Sequence, residues 1–363
     1  MPKKNIARDD ANPSFQELME LLDNSKDVAC LKRVLQTAIS LEFSTIPPYL
    51  CALWSIKEDK NEVAESIREI VQEEMLHMAL ACNMLTAIGG QPKINTMVPK
   101  YPGPLPGGVH SGLIAKLSGL TKDLLLDFMY IERPLSEFSH DHPELTLDQR
   151  EEEPHGDTIG AFYEKVKEAF VEIDPPMDPD NQIAGPLAWR VVRTVEDALY
   201  AIDLITEQGE GTGTTPEESE GDLSHFYRFK EVFEEVRLVW DSDNNTLRHG
   251  EAFPFPDVLP MGEVPEDGWE ADIKSIKDKN ERDTVRFYLE QFDIVYTKLL
   301  DELQATWTLG GQASLVCAYS TMFDLEKSAK RLMTIKVPRL GDKTFGPRFW
   351  YHEATGKRNK DAK

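Results

Sequence analysis

One helical stripe with two misplaced side chains constrains this chain more than any other feature. Val63, Ile67, Ile70, Val71, Met78, Ala81 and Leu85 recur at the three-and-four spacing of a single helix face. Glu74 and His77 fall on that same face, three residues apart, where a helix of a soluble protein places Leu or Ala. A carboxylate inside an apolar stripe must be paired, protonated or metal-bound, because desolvating its bare charge is too costly. Gly89 and Gly90 stop the helix.

The pattern recurs upstream. Leu31, Leu35, Ala38 and Glu42 follow one another at 4-3-4 spacing on a helix that starts near Asp27, again with a carboxylate in an apolar position. Pro47 and Pro48 are expected to end or kink that helix. Further helices are expected in TKDLLLDFMYIERP, in TIGAFYEKVKEAFVEI with Thr158 as N-cap, in AWRVVRTVEDALYAIDLITEQGE and in LSHFYRFKEVFEEVRLVW. Beyond a Pro-rich crossing at 253–265 lie two more. One is marked by Phe292, Val295, Leu299 and Leu303, the other by Leu315, Ala318, Met322, Leu325, Ala329 and Leu332.

Residues 96–110 are too rich in Pro and Gly for a helix, 140–157 form an acidic loop, and 211–222 read as a flexible polar insert able to act as a lid. No sustained period-2 run and no repeat is present. The expected organisation is a terminal segment (1–26), a metal-binding bundle (27–250), a helical extension packed on it (251–335) and an irregular tail (336–363).

Composition narrows the function. Forty basic against 64 acidic residues give a formal charge of −24, which argues against nucleic acid or an anionic membrane as partner. An apolar content of 40 % fits a folded chain of 363 residues. Cys30, Cys51, Cys82 and Cys317 have no CxxC spacing and read as small buried hydrophobes. MPKKNIARDD lacks the apolar region of a secretory signal, and no stretch is long and apolar enough to span a bilayer; a cytoplasmic location is expected. There is no GxSxG, P-loop or GxGxxG in a nucleotide-binding context.

The misplaced acids point to metal. Four-helix bundles that bind two iron or manganese ions draw a Glu from each of two helices and a Glu-x-x-His pair from each of the other two. Glu42 with Glu74 and His77 supplies half of such a site. The other half is irregular. Glu196, Tyr200, Asp203, Glu207 and Glu210 share one side of a helix, but position 210 holds Glu where a second motif needs His. His225, across the polar insert, is the nearest imidazole. Glu164 or Glu168 is the remaining carboxylate, although Phe162, Val166 and Phe170 mark a different stripe. A solvated acidic face accounts for the same row.

LEFSTIPPYLCALWSI, IREIVQEEMLHMALACNMLTAIGG, TIGAFYEKV, ITEQGEGT, LSHFYRF and GPRFWYH, in this order, resemble the ferritin-like domain of the iminophenyl-pyruvate dimer synthase family. That family includes large enzymes of the violacein, rebeccamycin and staurosporine pigment pathways. The resemblance implies an all-α, ferritin-like four-helix bundle with long loops and a helical C-terminal extension. It also implies metal ligands at Glu42, Glu74, His77, Glu164, Glu207 and His225, with Glu210 as the substitute. The pigment enzymes resemble this chain over only part of their length, and their haem-associated part has no counterpart in this sequence, so imine coupling is not carried over.

The expected activity is that of a non-haem di-iron, or di-manganese, carboxylate oxidase or oxygenase of a biosynthetic pathway, using dioxygen and a small amino-acid-derived substrate. Glu74 is the natural bridging residue, Glu42 and Glu164 terminal carboxylates, and Glu73, Asp203 and Glu132 available to orient the imidazoles. Met75, Met78, Tyr49, Phe162, Tyr163 and Phe226 are available as pocket walls. Self-association is left open. The alternatives are a ferritin-like iron-binding ferroxidase, and a metal-free helical interaction module whose acids pair with Arg190, Arg193 or Arg228.

Overall fold

The computed structural model describes residues 15–24, 26–58, 60–134, 158–184, 190–212, 215–309 and 311–352. The expected acidic loop at 140–157 lies outside them. Two long helices carry the core: α2 (Val28–Ser55) and α3 (Glu62–Ala87), preceded by α1 (Phe15–Asn24). Asp27 caps α2 by accepting from Cys30 N at 2.7 Å, and Asn61 caps α3 by accepting from Val63 N at 2.9 Å. The short connection between them makes α2 and α3 an antiparallel hairpin. Leu31, Leu35, Ala38, Ile67, Ile70 and Ala81 are all fully buried within it.

α2 does not stop at its prolines but runs through Pro47 and Pro48 to Ser55. Each proline removes one helix donor and so frees the carbonyl four residues earlier. The carbonyl freed by Pro48 belongs to Ser44, and it accepts from Tyr101 Oη at 2.7 Å. The Ser44 hydroxyl donates to Leu41 O at 2.7 Å. Tyr101 is thus what lets the helix continue. Tyr101→Phe is expected to lower unfolding stability by about 1–3 kcal/mol, the cost of an unpaired buried carbonyl; thermal and urea denaturation measure it, and an unchanged midpoint contradicts this role.

Against the hairpin pack two pairs of shorter helices: α4 (Lys122–Ile131) with α7 (His225–Glu234), and α5 (Ile159–Ile173) with α6 (Val195–Glu210). Thr158 caps α5, accepting from Ala161 N at 3.1 Å. Within the described part of the polar insert before α7, Thr212 pairs with Thr215, Glu217 with Leu223, and Ser224 N donates to Pro216 O at 3.0 Å.

The segment expected as one helix through VRLVW breaks after Glu234. Glu235 takes a left-handed φ of 60°, and the chain enters β3 (Val236–Asp241), which pairs antiparallel with β4 (Thr246–Ala252). A smaller pair, β1 (Gly103–Pro104) with β2 (Ile114–Ala115), lies in the Pro-rich loop. β4 is exposed on nearly all of both faces, which is why no alternating pattern announces it.

After α8 (Glu270–Ser275), the helices α9 (Lys279–Thr308) and α10 (Gln312–Leu332) form a second hairpin, and α10 lies on α2. The segment after it is tied down as far as His352. Phe349 stacks on Trp54 with ring centroids 6.1 Å apart, and Arg348 Nε donates to buried Asp293 at 2.8 Å. Among the described residues ten α-helices dominate, and no helix is long and apolar enough to cross a membrane.

Candidate metal centre

Five side chains converge where the two short helix pairs meet the α2–α3 hairpin. α2 contributes Glu42, and α3 contributes Glu74 and His77 one helical turn apart. Glu132 is the C-cap residue of α4, and His225 is the first residue of α7. Their exposures lie between 0 and 4 %. Their ligand atoms form two groups, Glu42–Glu74–His77 and Glu74–Glu132–His225, in each of which all atoms lie within 4.8 Å of one another. Glu74 belongs to both.

Both imidazoles turn the same atom inward. His77 Nε2 donates to Gln208 Oε1 at 2.8 Å, which leaves Nδ1 at 3.6 Å from both Glu42 Oε2 and Glu74 Oε1. His225 Nε2 donates to Glu73 Oε2 at 2.9 Å, and Arg228 Nη1 holds that oxygen from the other side at 2.7 Å. His225 Nδ1 then stands 3.0 Å from Glu74 Oε1 and 3.6 Å from Glu132 Oε2. It is buried without a hydrogen bond of acceptable geometry. The carboxylates are oriented too: Tyr163 Oη donates to Glu42 at 2.6 Å, Tyr49 Oη to Glu132 at 2.5 Å, and Thr45 Oγ1 to Glu74 at 2.5 Å.

The electrostatics are those of an acid cluster in search of cations. Burial pushes the carboxyls of Glu42 and Glu132 up, and the charge of Glu74 adds to it. Burial also opposes charge on Glu74, but the facing imidazoles of His225 and His77 outweigh it and hold Glu74 well below the usual carboxylate range. For His77, burial is overcome by Glu42 and Glu74, which lift it to about 10. His225 is likewise lifted well above its ordinary value, against burial, by Glu132, Glu73 and Glu74. Burial pushes both phenols up, so Tyr49 and Tyr163 stay donors.

An orphaned imidazole nitrogen facing two carboxylates, with its opposite N–H anchored to a third, fits a divalent cation. The donor set, three carboxylates and two imidazoles without thiolate, suits iron or manganese. No Lys or Arg among the described residues reaches the three acids. Arg228 pairs with Glu69 and Glu73, Arg190 lies over the Tyr200 ring, and Arg193 Nη1 donates to Val191 O.

A cation entering at pH 7.5 must displace the protons that the raised imidazoles carry. Loading is expected to release about two protons per chain and to tighten as pH rises toward 10. Titration calorimetry in buffers of different ionisation enthalpy measures the release; loading that is independent of buffer contradicts it. In the metal-free chain the sign is fixed. His77, raised from 6.5 to about 10, contributes stability that is complete below 6.5 and is lost as pH rises through 10.

Of the residues expected from the sequence, Glu42, Glu74, His77 and His225 are brought together. Glu164 is not: Phe162, Tyr163, Val166 and Phe170 face inward on α5, and the helix phase turns Glu164 to solvent. Glu207 is only half-buried and accepts from Ser219 across the polar turn. Glu210 is buried, but it accepts from Gly160 N at 2.6 Å and sits at the start of α5 outside both groups. Glu132, expected only as an orienting partner, is the carboxylate that stands with Glu74 and His225. Its signal was present: Leu125, Phe128, Met129 and Glu132 recur on one helix face, the pattern that singled out Glu42. Glu73 orients His225, whereas Asp203 pairs with Lys167 on α5.

Comparison with known proteins follows the same segment. A family model described as ferritin-like matches residues 35–234, which include all five residues of the cluster. The chain is similar in fold to a ferritin-like protein from Caulobacter vibrioides, with a TM-score of 0.58 and 20 % identity. The likeness covers 89 % of this chain and 97 % of that one, so it reaches beyond the bundle into the helical extension. No curated protein matches the sequence.

Proposed function

Because the chain belongs to the ferritin-like family, we propose that it is a non-haem di-iron, or di-manganese, carboxylate oxidase or oxygenase acting on a small amino-acid-derived metabolite. One observation carries the metal reading: two imidazoles, each anchored at Nε2, turn Nδ1 toward one shared buried carboxylate, Glu74. Glu42, Glu74 and His77 would hold one ion, and Glu74, Glu132 and His225 the other. Such a pair, when bound, supplies two-electron oxidation with dioxygen as co-substrate.

The protein's own groups set the stage for that chemistry. Tyr163 and Tyr49 fix Glu42 and Glu132 through O–H donation, so each carboxylate is left with one oriented oxygen. Gln208 and Glu73 hold the Nε2–H tautomers and prevent the rings from turning. Tyr49 is itself boxed edge-on by Phe128 and Phe229, at centroid distances of 4.5 and 5.0 Å, which keeps water away from Glu132. The resemblance of the six sequence blocks to the iminophenyl-pyruvate dimer synthase family supports the substrate class, and the added α9–α10 hairpin favours an enzyme over a shell-forming storage subunit.

Oxygen uptake by the Fe(II)-loaded protein tests the function. Consumption that stops after the bound iron is oxidised, and continues only when an aromatic amino acid or its oxo-acid is added, is the expected result. Repeated oxidation of added Fe(II), with ferric oxide retained in a large particle, would establish the ferroxidase reading instead.

A further inference from the structure

The two groups of the cluster are closely matched in what they offer a cation. Each presents two carboxylates and one imidazole Nδ1, and Glu74 serves both. In each, the carboxylate that is not shared accepts from a buried phenol: Glu42 from Tyr163 at 2.6 Å and Glu132 from Tyr49 at 2.5 Å. The direct donors therefore give an ion no reason to prefer one place over the other.

What differs lies behind the rings. His77 Nε2 donates to Gln208 Oε1, the oxygen of a neutral carboxamide, at 2.8 Å. His225 Nε2 donates to Glu73 Oε2, a carboxylate oxygen, at 2.9 Å. Arg228, one turn along α7 from His225, fixes that carboxylate. Its Nη1 donates to the same Oε2 at 2.7 Å, while Nη2 donates to Ser66 O at 3.0 Å and to Glu69 Oε2 at 2.8 Å. One guanidinium thus faces two acids, and it does not cancel the negative charge behind His225.

An imidazole that donates its N–H to a carboxylate becomes the more basic ligand at its other nitrogen. A carboxamide oxygen, without formal charge, polarises the N–H less. Glu73 also brings negative charge close to any cation that His225 holds. Both effects act in the same direction, and losing such an outer partner costs ~10–100-fold in metal affinity.

We propose that the two ion positions are inequivalent: the place formed by Glu74, Glu132 and His225 is the tighter and fills first, and Glu73 and Gln208 are the positioning residues that set this order. The order rests on the metal reading of the cluster. At limiting metal the chain then carries its single ion on the side of α4 and α7.

Two ions sharing a carboxylate repel each other, which separates the binding steps of the parent whatever their order, so the test uses chains with one place each. Glu42→Ala leaves the His225 group intact, and Glu132→Ala leaves the His77 group intact. Mn(II) is titrated into each metal-free full chain without oxygen, and the free ion is read from its electron paramagnetic resonance signal. Glu42→Ala is expected to bind one Mn(II) about 10–100-fold more tightly than Glu132→Ala does. Adding Glu73→Gln to Glu42→Ala is expected to weaken binding about tenfold, and adding Gln208→Glu to Glu132→Ala to tighten it about tenfold. Loss of packing alone does not produce a gain in one background and a loss in the other. Circular dichroism checks each fold, and Glu42→Gln and Glu132→Gln replace an Ala variant that loses its helical spectrum. Equal affinities, the reverse order, or an affinity that either exchange leaves unmoved in a folded chain overturns the inequivalence and leaves the metal centre standing. A parent chain that binds no Mn(II) overturns the metal reading itself, and the order with it.

Discussion

A Glu74→Ala chain, loaded anaerobically with Fe(II) and desalted, is expected to retain no stoichiometric iron, against about two ions in the parent. Glu74 is the one carboxylate common to both groups, so its loss removes a ligand from each ion together. Oxygen-dependent turnover should fall by more than the ~10–100-fold that loss of an orienting residue costs. Thr45→Val, which removes only the hydroxyl that holds Glu74 Oε2, supplies that milder comparison. Glu74→Gln keeps the volume and separates loss of charge from loss of packing. Iron retained at the parental level in a folded Glu74→Ala chain sinks the shared-carboxylate reading.

The second large effect distinguishes Glu132 from the residues it displaced. Glu132→Ala should leave about one iron per chain and lower turnover by about 100-fold or more, because only the His225 group loses a carboxylate. Glu164→Ala and Glu207→Ala should keep both ions and near-parental rates. The former is solvent-facing on α5 and the latter is tied to Ser219. Plasma mass spectrometry on the four proteins side by side decides it. Iron lost from the Glu164 variant but kept in the Glu132 variant would restore the sequence-based ligand set.

Half of the cluster is legible in the sequence for a physical reason. Glu42, Glu74 and His77 lie in the middle of long helices, where many turns of apolar stripe define a face and a polar intruder stands out. Glu132 obeys the same rule but ends a helix of 10 residues, where too few turns exist to set the phase with weight. His225 follows a break in the bundle. Its helix begins anew after the polar turn, so no periodicity connects it with α6, and it was offered only as the nearest imidazole and by the resemblance. That resemblance implied Glu164 on α5 and Glu207 on α6, whereas the carboxylate that stands beside Glu74 and His225 is Glu132 at the end of α4.

The misjudged elements have equally specific causes. Continuation of α2 through two prolines depends on Tyr101, 57 residues from the carbonyl it satisfies, and no local propensity contains that contact. The VRLVW strand follows α7 without Gly or Pro to mark the change. The left-handed turn falls on Glu235, a residue type that gives no such signal. Capping, by contrast, was local and readable: Thr158 accepts from the backbone N–H three residues on.

The most direct test of two ions sharing one carboxylate is the Mössbauer spectrum of the iron-57-loaded protein after exposure to dioxygen, recorded at liquid-helium temperature in an applied field. Two ferric ions bridged through Glu74 are expected to couple antiferromagnetically and to give quadrupole doublets with a diamagnetic ground state. Magnetically split lines of isolated high-spin ferric ions would show that the ions occupy separate places, and the shared centre built on Glu74 would be wrong.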